Sequence, residues 1–120
     1  VAWLSTTTTN AKDRLPPDTD GWYLPDGTTK IADNLADLTS GSIQNAITQD
    51  EDGMKGTGFM WTATDPNGDR GPPSCLDWTS SDFGDRALLG NRELSSSHWT
   101  DHIADGRCIS PASLYCFRID

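Results

Sequence analysis

Apolar positions in this chain come in short clusters whose spacing changes character along its length. Ile31, Leu35 and Leu38 stand at i, i+4 and i+7, on one face of a 3.6-residue helix. Gly41 is placed to end that helix, so the pattern predicts about three turns over residues 30–39. A shorter helical turn is predicted at residues 10–15, with Thr9 or Asn10 as N-cap and Pro16 and Pro17 stopping it. Short apolar or aromatic runs at residues 1–5, 21–24, 58–64, 75–79 and 114–119 read as strands. They are separated by Pro25-Asp26-Gly27, Asp52-Gly53, Asn67-Gly68 and Gly71-Pro72-Pro73, turn chemistry in which Asn and Gly accept positive φ. No internal repeat or linker interrupts the series, so residues 1–120 are expected to form one domain. The expected class is α+β: a small antiparallel sheet with long ordered loops and one or two short helices.

Charge narrows the partners. Eighteen acidic residues against nine Lys and Arg give a net charge of −9, which repels phosphate backbones and anionic bilayers. No nucleic acid is expected to bind. No stretch approaches the ~20 apolar residues of a membrane helix, so no membrane insertion is expected either. Eleven Gly and seven Pro imply a loop-rich chain, while five Trp supply the burial that a disordered acidic polymer lacks. Val1 leads straight into Ala2-Trp3-Leu4 without a basic start, so the chain is expected to be mature, trimmed or N-terminally incomplete.

Cys75, Cys108 and Cys116 are odd in number and form no CxxC pair, so at least one lacks an internal disulfide partner. One bridge within the chain, in an extracellular compartment, is the favoured reading. Three buried thiols in a reducing compartment and a zinc site are the alternatives.

Trp61-x3-Asp65-Pro66-Asn67-x7-Cys75, then Trp99-Thr100-Asp101, then Cys108-x7-Cys116, form a longer pattern. It resembles the C-type-lectin-like domain, where a Trp shortly precedes a Glu-Pro-Asn or Gln-Pro-Asp tripeptide, and a Trp-Asn-Asp tripeptide and two cysteines follow. Here Asp65 stands in the Glu or Gln position, Thr100 replaces the Asn, and the interval from Trp99 to Cys108 is longer than usual. Ala2-Trp3-Leu4-Ser5, residues 10–15, residues 31–38 and Leu114-Tyr115-Cys116-Phe117 are similar to a bacterial secreted and surface domain-of-unknown-function family of the same fold. That family carries a cysteine-bearing segment ahead of the Ala-Trp-Leu-Ser strand, which this sequence lacks.

The resemblance implies a Cys75–Cys108 disulfide and leaves Cys116 without its expected partner. In its strand-like run, Cys116 is expected to be a buried, inert thiol, the alternative being a covalent or homo-oligomeric contact to another chain. The resemblance also implies a calcium site built from Asp65, Asn67, Asp69 and Asp101, oxygen-bearing residues of the kind Ca²⁺ prefers. Asp65-Pro66 would be cis with metal bound, and a sugar with vicinal hydroxyls would bind beside Trp99, Asn67 and Asp101. An ordinary polar turn is the plainer reading of the same loop. Trp3, Trp61 and Trp78 are expected in the core, Trp22 and Trp99 at the surface.

His98 and His102 at i, i+4 could hold zinc on a helix, but the surrounding Ser, Asp and Gly indicate a loop. Asp50-Glu51-Asp52-Gly53 reads as an acidic turn. No nucleophile elbow, phosphate loop or dinucleotide fingerprint appears, so an enzyme is not expected. The expected function is a secreted or surface-displayed recognition and adhesion module for a glycan or host protein. The alternative is a metal-free structural or assembly domain capping a fibre or surface layer.

Overall fold

In the computed structural model, which describes residues 1–119, the segment predicted as one helix divides into two elements. Trp22–Tyr23 (β1) and Lys30–Ala32 (β2) form a two-stranded antiparallel ribbon, and only Leu35–Leu38 (α1) is helical. Asn34 causes the break: its backbone is extended, and its side-chain oxygen accepts from the Asp37 N–H at 2.9 Å, starting the helix there. Ile31 and Leu38 are both buried, so the periodicity marked the inward face but assigned Ile31 to the wrong element. The other predicted helical turn is present as a 3-10 turn at Ala11–Arg14.

The main sheet is antiparallel, with Phe59–Trp61 (β3), Arg86–Asn91 (β4) and Ile103–Arg107 (β5) in the order β3-β4-β5. Met60 pairs with Gly90, Leu89 with Ile103 and Arg86 with Arg107. The sequence pattern did not reveal the central strand, because residues 87–90 are all buried and no in–out alternation is left to read. Gly90 is required by contact: a Cβ there would lie 2.0 Å from the Trp99 carbonyl oxygen, where a 3-10 turn (Ser97–Trp99) crosses the strand. The predicted end strands reduce to a single antiparallel bridge, Ala2 with Cys116, flanked by Trp3 N–H to Tyr115 O at 2.9 Å and Phe117 N–H to Val1 O at 2.7 Å.

Trp3 and Trp99 pack at 5.2 Å between ring centroids, with Phe117 and Tyr115 against them. Four hydroxyls are buried among these rings: Ser5, Thr62, Thr64 and Thr100. Each is satisfied. Ala11 N–H donates to Ser5 Oγ, Ser5 pairs with Thr64 Oγ1, Thr64 donates to Thr62 O and Thr62 to Thr100 O. A second cluster surrounds Cys75, Cys108, Ala87 and Leu89, with Trp61 and Trp78 half-buried and edge-on at 5.9 Å.

Residues 75–79, predicted as a strand, instead form one helical turn, Cys75–Trp78 (α2), with left-handed φ of 51°, 54°, 57° and 64°. Side chains other than glycine favour the right-handed form by about 1–2 kcal/mol per residue, so neighbours must hold this turn. They do so from three sides. Cys75 is bridged to Cys108; the Asp77 carboxylate accepts from the Thr7 N–H at 2.7 Å and from the Thr7 hydroxyl; Trp78 Nε1 donates to Ser5 O at 2.8 Å. Among the described residues no helix is long and apolar enough to cross a membrane.

Candidate functional site

Asp65, Asn67 and Asp69 share one turn, which is tied to the chain's own N-terminal region. Asp65 Oδ1 accepts from the backbone N–H groups of Asn67 at 2.9 Å and Asp69 at 3.0 Å. Gly68, at φ +83°, lets this turn press against Lys12: a Cβ there would lie 2.7 Å from the Lys12 Cβ. Lys12 returns its N–H to Gly68 O at 3.1 Å and its ammonium to Asp69 Oδ1 at 2.6 Å, and the hydrogen bond to Asp69 raises the lysine pKa. Asn10 Oδ1 accepts from the Arg70 N–H at 2.8 Å. The hydrogen bond from Thr100 Oγ1 to Thr64 O, at 2.9 Å, joins this segment to the one carrying Asp101.

Calcium takes six to eight oxygens at 2.3–2.6 Å. Here one Asp65 oxygen serves two amides and Asp69 faces a lysine, and among the described residues no three His, Cys, Asp or Glu side chains gather as a metal-holding group. The cis peptide bond among the described residues joins Pro72 and Pro73.

Trp99, expected at the surface beside a ligand, is 0% exposed. The polar residues around it mislead because Ser96 accepts from the His98 N–H and starts the 3-10 turn that swings the indole inward, onto Trp3 and Tyr115. Trp22 is also buried, with Nε1 donating to Arg118 O at 3.0 Å. His98 and His102 meet edge-on at 5.1 Å, and Phe59 stacks on His102 at 5.8 Å. His98 Nδ1 lies 3.0 Å from Asp101 O.

The Cys75–Cys108 disulfide is present. Cys116 is free and exposed, contrary to the expected buried thiol. Extended backbone alternates its side chains, and with Tyr115 and Phe117 turned into the core, Cys116 between them faces out.

Cys116 opens onto a groove of about 910 Å³ between the β1–β2 ribbon, residues 47–51 and the C-terminal segment. Tyr23, 45% exposed, stands on one wall with the Lys30 ammonium 5.6 Å from its ring centroid. The Asp26 carboxylate fixes the ribbon's turn by accepting from the N–H groups of Thr28 and Thr29, both at 2.8 Å, and from the Thr29 hydroxyl at 2.6 Å. These bonds, the Thr29 hydroxyl first, lower its pKa to about 2. Also lining the groove, Gln49 and Arg92 keep Oε1 and Nε buried without hydrogen-bond partners, although Arg92 Nη2 reaches Thr48 O at 3.1 Å. The Tyr115 phenol lines the same groove, donates to Trp99 O at 2.8 Å, and is pushed to high pKa by burial. No sequence motif marked Gln49 or Arg92, because two isolated polar residues carry no periodic or spaced signal.

No family model matches the chain, and no curated protein matches it.

Proposed function

We propose that this chain is a recognition domain of C-type-lectin-like build, secreted or displayed at a cell surface, that holds a glycan or a segment of a host protein in the groove beside Tyr23. The observation that carries the proposal is the pair of unpartnered atoms in that groove. Gln49 Oε1 is an acceptor and Arg92 Nε–H a donor, and each unsatisfied buried polar atom costs roughly 1–3 kcal/mol. Both atoms are closed to solvent, so a ligand bearing adjacent donors and acceptors, such as sugar hydroxyls or a peptide amide, relieves them by drawing the two side chains round toward the groove. The groove's size falls within the usual range for ligand sites, and Tyr23 offers an aromatic face of the kind sugars and peptides stack on. The disulfide suits an oxidising compartment. Binding is read as metal-independent, because Asp65 and Asp69 are already engaged by the chain.

Screening the disulfide-bonded protein on a glycan array and a peptide array, with calcium and with chelator, tests the proposal. Selective binding that survives chelator and is lost in Tyr23→Ala and Gln49→Ala is expected. Binding that Tyr23→Ala and Gln49→Ala leave intact, or no binding to either array, overturns it. The exposed Cys116 thiol favours one second reading, a metal-free assembly domain joined covalently to another chain.

A further inference from the structure

Phe83 stands in the turn that leads into β4, and it is 62% exposed. Two arginines hold that turn in place. Arg86 Nη1 donates to Phe83 O at 3.0 Å and to Gly84 O at 3.2 Å, and Arg107 Nη1 donates to Phe83 O at 3.1 Å. The Arg107 guanidinium lies 4.1 Å from the centroid of the Phe83 ring.

Arg86 and Arg107 are cross-strand partners in the β4–β5 ladder, a position where like charges disfavour pairing. The chain has twice as many acids as cations, yet among the described residues neither guanidinium lies within ion-pair distance of a carboxylate. Of the neighbouring acids, Asp85 accepts from the Ser80 hydroxyl and Asp77 from Thr7. Two guanidiniums thus stand side by side, without a close ion pair, around a ring that solvent reaches. Each has five N–H donors and uses only Nη1 in the bonds above, which leaves the Nε/Nη2 fork that fits a carboxylate.

We propose that Phe83, Arg86 and Arg107 form a docking platform for a carboxylate-bearing segment of a partner protein. An Asp or Glu of the partner accepts from the arginine forks, and an apolar neighbour covers the Phe83 ring. Aromatic and arginine side chains are the types that carry most interface energy, and here their hydrogen bonds set the orientation before binding, which lowers the ordering cost. Leu76 and Ile109, 66% and 60% exposed, follow the two bridged cysteines, and Leu76 adds apolar surface near Arg86. A shallow pocket of about 420 Å³, with Leu76, Pro73, Gly84 and Arg86 in its wall, adjoins the platform and shares no residue with the groove beside Tyr23. A second copy is the weaker occupant, because each copy carries −9 over its whole surface, whereas a partner needs negative charge only in the docked segment.

Peptide display against the disulfide-bonded protein tests the platform. Enriched peptides should pair Asp or Glu with an apolar residue. Their affinity should fall at least tenfold in Arg107→Gln and in Phe83→Ser, fall with added salt, and be only partly kept in Arg107→Lys, which retains the charge without the fork. Phe83→Ser alters an exposed side chain whose backbone carbonyl makes the hydrogen bonds, so it keeps the test open should an arginine variant misfold. Three results overturn the proposal: enriched peptides without acidic residues, no enrichment, or binding unchanged in Phe83→Ser. Sedimentation showing a dimer that Phe83→Ser dissolves assigns the platform to a second copy and also overturns it. A Tyr23→Ala control separates this surface from the groove, since it should leave platform binding intact.

Discussion

The indole N–H of Trp3 donates to the hydroxyl of Thr100 across 2.8 Å, with both residues wholly buried. Thr100 donates its hydroxyl proton to Thr64 O and receives the Thr62 hydroxyl at its carbonyl, so one residue joins the first strand-like segment, the segment after β3 and the 3-10 turn. Thr100→Val keeps the shape but strands the Trp3 N–H and the Thr64 carbonyl. A loss of roughly 1–3 kcal/mol is expected, read as a lower midpoint in urea with unchanged slope. A midpoint equal to wild type would show that the buried hydroxyl chain adds nothing.

The Asp26 carboxylate titrates at about 2, below its ordinary 3.8, because three donors from Thr28 and Thr29 favour the charged form. A lowered folded-state pKa stabilises above the ordinary value, and that stabilisation is lost as pH falls through about 2. A carboxyl titration followed by NMR should place the Asp26 midpoint near 2, with Thr28 and Thr29 amide protection lost over the same interval. Asp26→Ala should lose that protection already at neutral pH. An Asp26 midpoint near 4 would contradict the hydrogen-bonded turn.

Native alkylation should label Cys116 alone, since its thiol is exposed while Cys75 and Cys108 are bridged. Reducing the bridge opens a closure across 33 positions, worth about 3–4 kcal/mol in the chain-entropy account. The melt should fall by about 12–16 °C. Two or three labels without reductant would refute the bridge.

Millimolar calcium should leave the melting temperature unchanged, because Lys12 already neutralises Asp69 and two amides occupy Asp65. The variant that removes this internal cation, Lys12→Ala, should lower the melt only slightly, as expected for an exposed ion pair. A calcium-dependent rise of several degrees in the wild-type protein would restore the lectin-type metal site.

The elements legible in the sequence were those with local signals. The short turn stopped before Pro16, the β1–β2 turn at Pro25-Asp26-Gly27, and the inward face of Ile31 and Leu38 all follow from turn chemistry or periodicity, although Asn10 spends its side-chain oxygen on Arg70 rather than on capping the turn. What escaped depends on distant chain. β4 is covered on both faces, so Ala87-Leu88-Leu89-Gly90 has no alternation to detect. Trp99 sits among serines and a histidine that reflect only its turn, while Trp3, nearly a hundred residues earlier, decides that it is buried. Sequence order also cannot show Lys12 lying across the acidic loop, with its ammonium on Asp69. The groove's Gln49 and Arg92 lie far apart along the chain and became visible only once the C-terminal segment closed beside β3.

The left-handed turn at Cys75–Trp78 inverts the usual relation between backbone and stereochemistry. At Leu76, φ 54° and 66% exposed, a D-amino acid is the enantiomer whose side chain the backbone accommodates without clash, and the natural L-leucine is the mismatched one. Semisynthesis with D-Leu76 should therefore give a chain about 1–2 kcal/mol more stable than the natural one. In this stretch of the molecule, chirality is held by the disulfide, Thr7 and Ser5 against the preference of its own residues.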